Sequence, residues 1–248
     1  VDDAVSRILR LKLKLYPAFV LETVRVPAET AVKVCGQGEA VTRRIANQAI
    51  TLLYPDPNAM PAPPRSGEKI LIFTDARPVR ECFTDRCPTF ATLSQTAVQE
   101  AIVGIYGPQG TGQVRAEDIT SLSFGQLKTF LAAAPTGDGT ESEVGRLLNE
   151  ADWIILASQD LNPVKGPNSD AIELFLNQGV SLVPDAKLVV LAFNAPYYLD
   201  TTEVSKLTLY LGAYSKTEPF VQAAVRALFR EMPAEGASPV NVAGVNYD

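Results

Sequence analysis

WIILAS, residues 153–158, decides how this chain is read. A strand with one face in water alternates apolar and polar residues, whereas an uninterrupted apolar run is covered on both faces, as in parallel sheets. Three further runs have the same character: KILIFT (69–74), KLVVLAF (187–193) and KLTLYL (206–211). Helical patterns separate them. TLSQTAVQEAIVGI places Leu93, Ala97, Val98, Ala101, Ile102 and Ile105 on one side, and SFGQLKTFLAAAP opens on a capping Ser123 and stops at Pro135. NSDAIELFLNQG ends at Gly179. TEPFVQAAVRALFRE carries Pro219 in its first turn and a stripe of Val221, Ala224, Val225 and Leu228.

Strand and helix in alternation predict a doubly wound, mainly parallel α/β fold, a flavodoxin-like three-layer sandwich over residues 66–248. Residues 1–65 read as a helical arm and linker. In DDAVSRILRLKLKLY, Val5, Ile8, Leu9, Leu13 and Tyr16 make one apolar stripe, with Asp3, Arg7, Arg10 and Lys14 opposite. A second helical pattern, EAVTRRIANQAITLLY, leads into YPDPNAMPAPPRSGEK. Its five prolines predict a stiff extended connector. TGDGTESE (136–143) reads as a polar turn. A helix that begins so abruptly suggests a longer working protein, and its exposed stripe would favour self-association.

The net charge of −6, with no cluster of Lys and Arg, argues against a nucleic-acid binder, which needs a basic footprint on the phosphates. No apolar run approaches the length needed to span a bilayer. The chain has no histidine. That removes Ser-His-Asp and Cys-His machinery and His-containing zinc sites from this chain acting alone, and no metal or cofactor is expected. Of the three cysteines, Cys82 and Cys87 could close a small loop in an oxidising compartment. Free thiols are the plainer reading, and neither has a His to activate it.

Open α/β sheets bind ligands outside the carboxyl ends of their strands. The residues to inspect are therefore Asp75 and Arg77 after the first run, and Gln159, Asp160 and Asn162 after the second. Asn194, Tyr197 and Tyr198 follow the third, and Tyr214 and Ser215 the fourth. This polar, aromatic rim could hydrogen-bond a sugar, face a partner domain, or consist of ordinary turn residues. Asp75, Asp160 and Asp200 could supply the two carboxylates of glycosidic acid/base chemistry, provided two of them converge. GPQGTGQV (107–114) matches the G-x-x-x-x-G frame of a phosphate-binding loop through Gly107 and Gly112. Gln113 and Val114, however, stand where Lys and Ser/Thr are required, and the segment follows a helix rather than a strand.

Both ends of the chain resemble glycoside hydrolase family 3. DDAVSRILRLKLKL resembles the helix that closes that family's catalytic barrel, and IANQAITLLYPDP its entry into the second domain, where a TLL pattern forms the first strand. Pro196, Tyr197, Leu199 and Asp200, then Tyr214 and Ser215, then Ala224, Leu228, Phe229, Glu231, Gly236, Pro239 and Val240 match the family's later motifs. Arg230 and Ser238 depart from it, standing where Gly and Leu are usual. The likeness is to the β-N-acetylhexosaminidase branch. It implies an α/β C-terminal domain whose partner is an N-terminal (β/α)₈ barrel on the same polypeptide. The barrel would carry the nucleophilic Asp, the Asp–His acid/base pair and the K-H-[FI]-P-G signature. The resemblance carries no catalytic residue onto this chain, which would act as a scaffold or a substrate-side lobe for a carbohydrate. The rival is a stand-alone binding module recognising a small ligand or a protein at the same rim.

Overall fold

The structure is a computed structural model and describes residues 2–16, 18, 20–21, 25–35, 37–80, 82, 86–133, 142–164 and 166–240. The turn expected at 136–143 lies outside them up to residue 141. The chain forms two compact units, Val1–Thr42 and Arg43–Asp248. The first holds α1 (Asp2–Leu15), α2 (Ala28–Val34) and the start of α3 (Glu39–Ala49). α1 and α2 bury no residue, and the α1 stripe of Val5, Ile8, Leu9 and Leu13 is exposed. Arg7 pairs with Asp3 one turn back at 2.9 Å, the i, i+4 spacing that steadies an isolated helix.

Among the described residues the second unit has eight strands: β1 (Thr51–Tyr54), β2 (Ile70–Thr74), β3 (Pro78–Arg80), β4 (Thr89–Ala91), β5 (Ile119–Ser123), β6 (Trp153–Ser158), β7 (Lys187–Ala192) and β8 (Leu209–Gly212). β3 and β4 pair as a separate antiparallel hairpin. The other six form one sheet in the order β1-β8-β7-β6-β2-β5. β1 is antiparallel to β8, and every other pair in this sheet is parallel. Because β1 belongs to the sheet, the compact body begins well before residue 66. The run at 206–211 also shifts: Lys206–Thr208 closes a turn and the strand starts at Leu209.

Burial on both faces explains the apolar runs. Along β2 and β6, Ile70, Ile72, Trp153, Ile155 and Ala157 point into one core with α4 (Ala97–Tyr106) and α9 (Glu218–Leu228). Leu71, Phe73, Ile154 and Leu156 point into the other, against α5 (Phe124–Ala133) and α7 (Ala171–Leu174), which continues as a π-turn to Gly179. Two further α-helices among the described residues are α6 (Glu143–Glu150) and α8 (Thr201–Val204).

Local signals act as their chemistry requires. Ser123 and Gln126 form a reciprocal box at the start of α5: the Gln126 amide donates to Ser123 Oγ, and Gln126 Oε1 accepts from the Ser123 amide. GPQGTGQV closes α4 as a turn, with Gly112 at φ +72° and its amide bonded to Gly107 O. The edge strand β5 is covered by Gln99 of α4 and by Gln95 just before that helix, whose side-chain amides donate to the carbonyls of Ile119 and Ser121 at 3.0 Å.

Charged groups tie down the amino ends of the strands. Glu68 accepts from Trp153 Nε1 (2.9 Å), the Arg65 amide (2.8 Å) and Lys187 Nζ (3.3 Å), while Lys187 sits over the Trp153 ring. Burial opposes ionisation of Glu68, but these donors outweigh it and hold its carboxyl below the usual range. Asp118, between Lys69 and Arg115 at 2.7 Å each, is held low by Lys69 first and Arg115 next.

Candidate functional site

Numbering the parallel strands in chain order, β2, β5, β6, β7, β8 become one to five, and their order along the sheet is 2-1-3-4-5. Strand order then reverses between β2 and β6, and that crevice is where a doubly wound sheet takes its ligand. The chain leaves β2 through Asp75–Arg77 and β6 through Gln159–Asp160. The topology thus separates Asp75, Arg77, Gln159 and Asp160 from the rest of the rim.

They fill the crevice themselves. Arg77 Nε donates to both Asp75 oxygens (2.9 and 3.1 Å), its terminal nitrogen reaches Asp75 again, and Arg77 Nη1 pairs with Asp160 Oδ1 at 2.7 Å. The side chains of Asp75 and Arg77 are 2% and 10% exposed. Burial opposes the Arg77 charge, and the two carboxylates overcome it, so the guanidinium is more firmly protonated than usual. Gln159, also buried, donates from Nε2 to Asp75 O at 2.7 Å. Its Oε1 accepts from Thr92 Oγ1 (2.9 Å) and Lys216 Nζ (3.2 Å). A loop closes behind the triad. The Asn162 amide donates to Ser169 Oγ, the Gly166 amide to Asn162 O, and Gly166 lies so close that a Cβ there would sit 2.5 Å from Arg77 Cζ. The recess left beside the triad, between Arg77, Ser123, Gly125 and Asn168, is about 170 Å³. Ligand sites begin at roughly 300 Å³.

The other rim residues part company. Asn194 and Tyr197 are exposed on the loop after β7. The Tyr198 hydroxyl is buried; burial pushes it above the usual phenol range, and the Asp75 and Asp160 charges push the same way. Tyr214, at φ 60°, folds back so that its hydroxyl donates to Thr51 Oγ1 at 3.2 Å, tying β8 to β1. Ser215 Oγ shares a bond with Thr217 beside α9. Asp200 caps α8: its side chain accepts from the Glu203 amide, and Glu203 accepts from the Asp200 amide. Asp75, Asp160 and Asp200 are therefore all engaged by partners within the fold. Among the described residues no three His, Cys, Asp or Glu side chains are grouped to hold a metal.

The sequence reading missed Thr92, Gly166 and Lys216, the last of them the residue next to Ser215. It also missed a cleft of about 340 Å³ between α4 and α9, lined by Thr92, Glu100, Lys216, Glu218 and Gln222. Its two carboxylates sit in the first turns of α4 and α9, where they offset the helix dipoles. Each already has a partner: Glu100 accepts from Thr96 Oγ1 at 2.6 Å and Glu218 from Gln222 Nε2 at 2.9 Å.

Cys82 and Cys87 are joined as a disulfide, correcting the free-thiol reading, and Cys35 is free and exposed. Among the described residues no helix is long and apolar enough to cross a membrane.

These features define a doubly wound α/β lobe whose switch-point crevice is sealed by its own ion triad. No family model and no curated protein matches the sequence. Solved structures do. The chain is similar to a glycoside hydrolase family 3 β-N-acetylglucosaminidase from Paenibacillus sp. str. FPU-7, with 16% identity and TM-score 0.58, covering 99% of this chain and 40% of that one. It is also similar to the β-glucoside phosphorylase BglX, with 20% identity and TM-score 0.55, covering 97% of this chain and 38% of the other. β-Glucosidase 3B from Thermotoga neapolitana follows at 13% identity and TM-score 0.50, with coverages of 84% and 31%. At these identities the likeness establishes a shared fold, and the chain spans about two-fifths or less of each of these proteins.

Proposed function

We propose that this chain is the C-terminal α/β domain of a family 3 glycoside hydrolase, a non-catalytic lobe that works with an N-terminal (β/α)₈ barrel on the same polypeptide. The observation that carries the reading is the sealed switch point: the carboxylates that could have served a glycosidic bond are spent on Arg77 and on the α8 cap. The family motifs at both ends of the chain support it, as does a fold match covering nearly all of this chain and a minority of much longer enzymes. The parent would cleave terminal β-linked sugars by the retaining route, with attack by a barrel Asp, a glycosyl-enzyme intermediate, then hydrolysis. The motifs favour β-N-acetylhexosaminides. Asn194 and Tyr197, exposed on the rim, are the residues here best placed to face the substrate or the barrel. The exposed α1 stripe is a surface for the barrel, or for a second copy when the barrel is absent.

A stand-alone ligand-binding module fits less well, because the crevice it would use is filled. The parent reading frame tests the proposal. About 300 residues patterned as eight βα units and containing K-H-x-P-G should precede Val1. A start codon immediately before Val1 would overturn it.

A further inference from the structure

The α4–α9 cleft is lined by charges of both signs that do not pair with each other. Glu100 and Glu218 stand on its two helices, and Lys216 lies in the turn leading into α9. Among the described residues none of the three makes an ion pair; each is held by a neutral group instead. Glu100 accepts from Thr96 Oγ1 at 2.6 Å, Glu218 accepts from Gln222 Nε2 at 2.9 Å, and Lys216 Nζ donates to Gln159 Oε1 at 3.2 Å. Gln159 is 4% exposed and is fixed in turn by its bonds with Asp75 O and Thr92 Oγ1, so the Lys216 ammonium is anchored from within the fold. These partners use little of the capacity present. An ionised carboxylate accepts at about four lone-pair sites and an ammonium donates three hydrogens, so most of each group stays open. Leu93 and Val221, buried, and Ala97 and Ala101, half-buried, give the cavity an apolar lining, and its volume of about 340 Å³ is within the range of small-molecule sites.

We propose that this cleft binds a small zwitterion, an amino acid, whose ammonium is taken by Glu100 and Glu218, whose carboxylate is taken by Lys216, and whose carbon chain lies on the apolar lining. A simple amine would leave Lys216 unmatched and place a like charge beside it. A simple carboxylate would meet two like charges. A molecule bearing both signs meets opposite charge at each end, through charge-assisted hydrogen bonds, which are the stronger kind. In an open cleft these contacts are screened, so the affinity is modest, with Kd on the order of 1 mM. The inference does not rest on the glycosidase reading, and no bond is made or broken in it.

The test is a titration of the full chain at neutral pH and low salt, followed in amide proton–nitrogen correlation spectra. The zwitterions used are L-alanine and 4-aminobutyrate, with n-butylamine and butyrate as single-charge controls. At least one zwitterion should shift the Ala97, Ala101 and Glu218 signals saturably, and bind about tenfold or more tighter than either control. Glu218→Gln and Lys216→Met should each weaken that binding by about tenfold or more. Both residues are exposed, so the melting temperature of each variant should stay within about 3 °C of the parent. Saturation by neither zwitterion up to about 50 mM would overturn the proposal. So would butylamine or butyrate binding as tightly as the zwitterions, or an affinity that stays within about twofold in both variants.

Discussion

Replacing Arg77 with Met probes the feature on which the account leans most. The Asp75 side chain is 2% exposed and its strongest partner is Arg77; without it, Asp75 keeps the Gln159 amide at 3.4 Å. Breaking a buried ion pair from one side costs about 3–5 kcal/mol, because the remaining charge stays desolvated. In a body of this size, that corresponds to a fall of roughly 6–20 °C in melting temperature. Asp160 is 38% exposed, so Asp160→Asn should cost no more than about 1 kcal/mol. The assay is urea unfolding at neutral pH of Arg77→Met, Asp75→Asn and the double variant. The double variant should recover about 2 kcal/mol relative to the sum of the singles, the coupling expected of residues in direct contact. An Arg77→Met chain within 1 kcal/mol of the parent would refute the idea that a buried triad seals the crevice.

Gly166→Ala sets a methyl 2.5 Å from Arg77 Cζ and should cost about 1–3 kcal/mol in urea unfolding, with most of that cost gone in an Arg77→Met background. Glu203 is held above the usual carboxyl range, by burial first and by the charges of Asp200 and Glu173 next. A folded-state carboxyl raised in this way weakens the fold as pH climbs through and above the unfolded value. Glu203→Gln keeps an acceptor for the α8 cap, so it should melt higher than the parent at pH 7.5, with the gain gone below about pH 4. A gain that persists at low pH would assign it to packing instead.

How much was legible follows from where each strand sits. β6 and β7 are buried on both faces, so their apolar runs stand out, and their ends were read to within a residue. β1 and β5 are edges. TLLY alternates buried and half-buried residues, and ITSLS carries three half-buried polar residues, so neither yields a continuous run. The hairpin has no core face at all, and whether two cysteines bond depends on how their Cβ atoms approach, which spacing does not determine. The rim residues lie in the segments after the strands, but the strand order was not readable. The switch-point residues Asp75, Arg77, Gln159 and Asp160 could not be told apart from Tyr214, which braces β1. Nor could sequence show that Arg77 closes the crevice it borders.

The most direct measurement is turnover of 4-nitrophenyl N-acetyl-β-glucosaminide by the purified chain alone. The account predicts release of 4-nitrophenol no faster than in buffer. Release that co-purifies with the chain through successive columns and disappears in Glu100→Gln or Glu218→Gln, the carboxylates of the α4–α9 cleft, would contradict it.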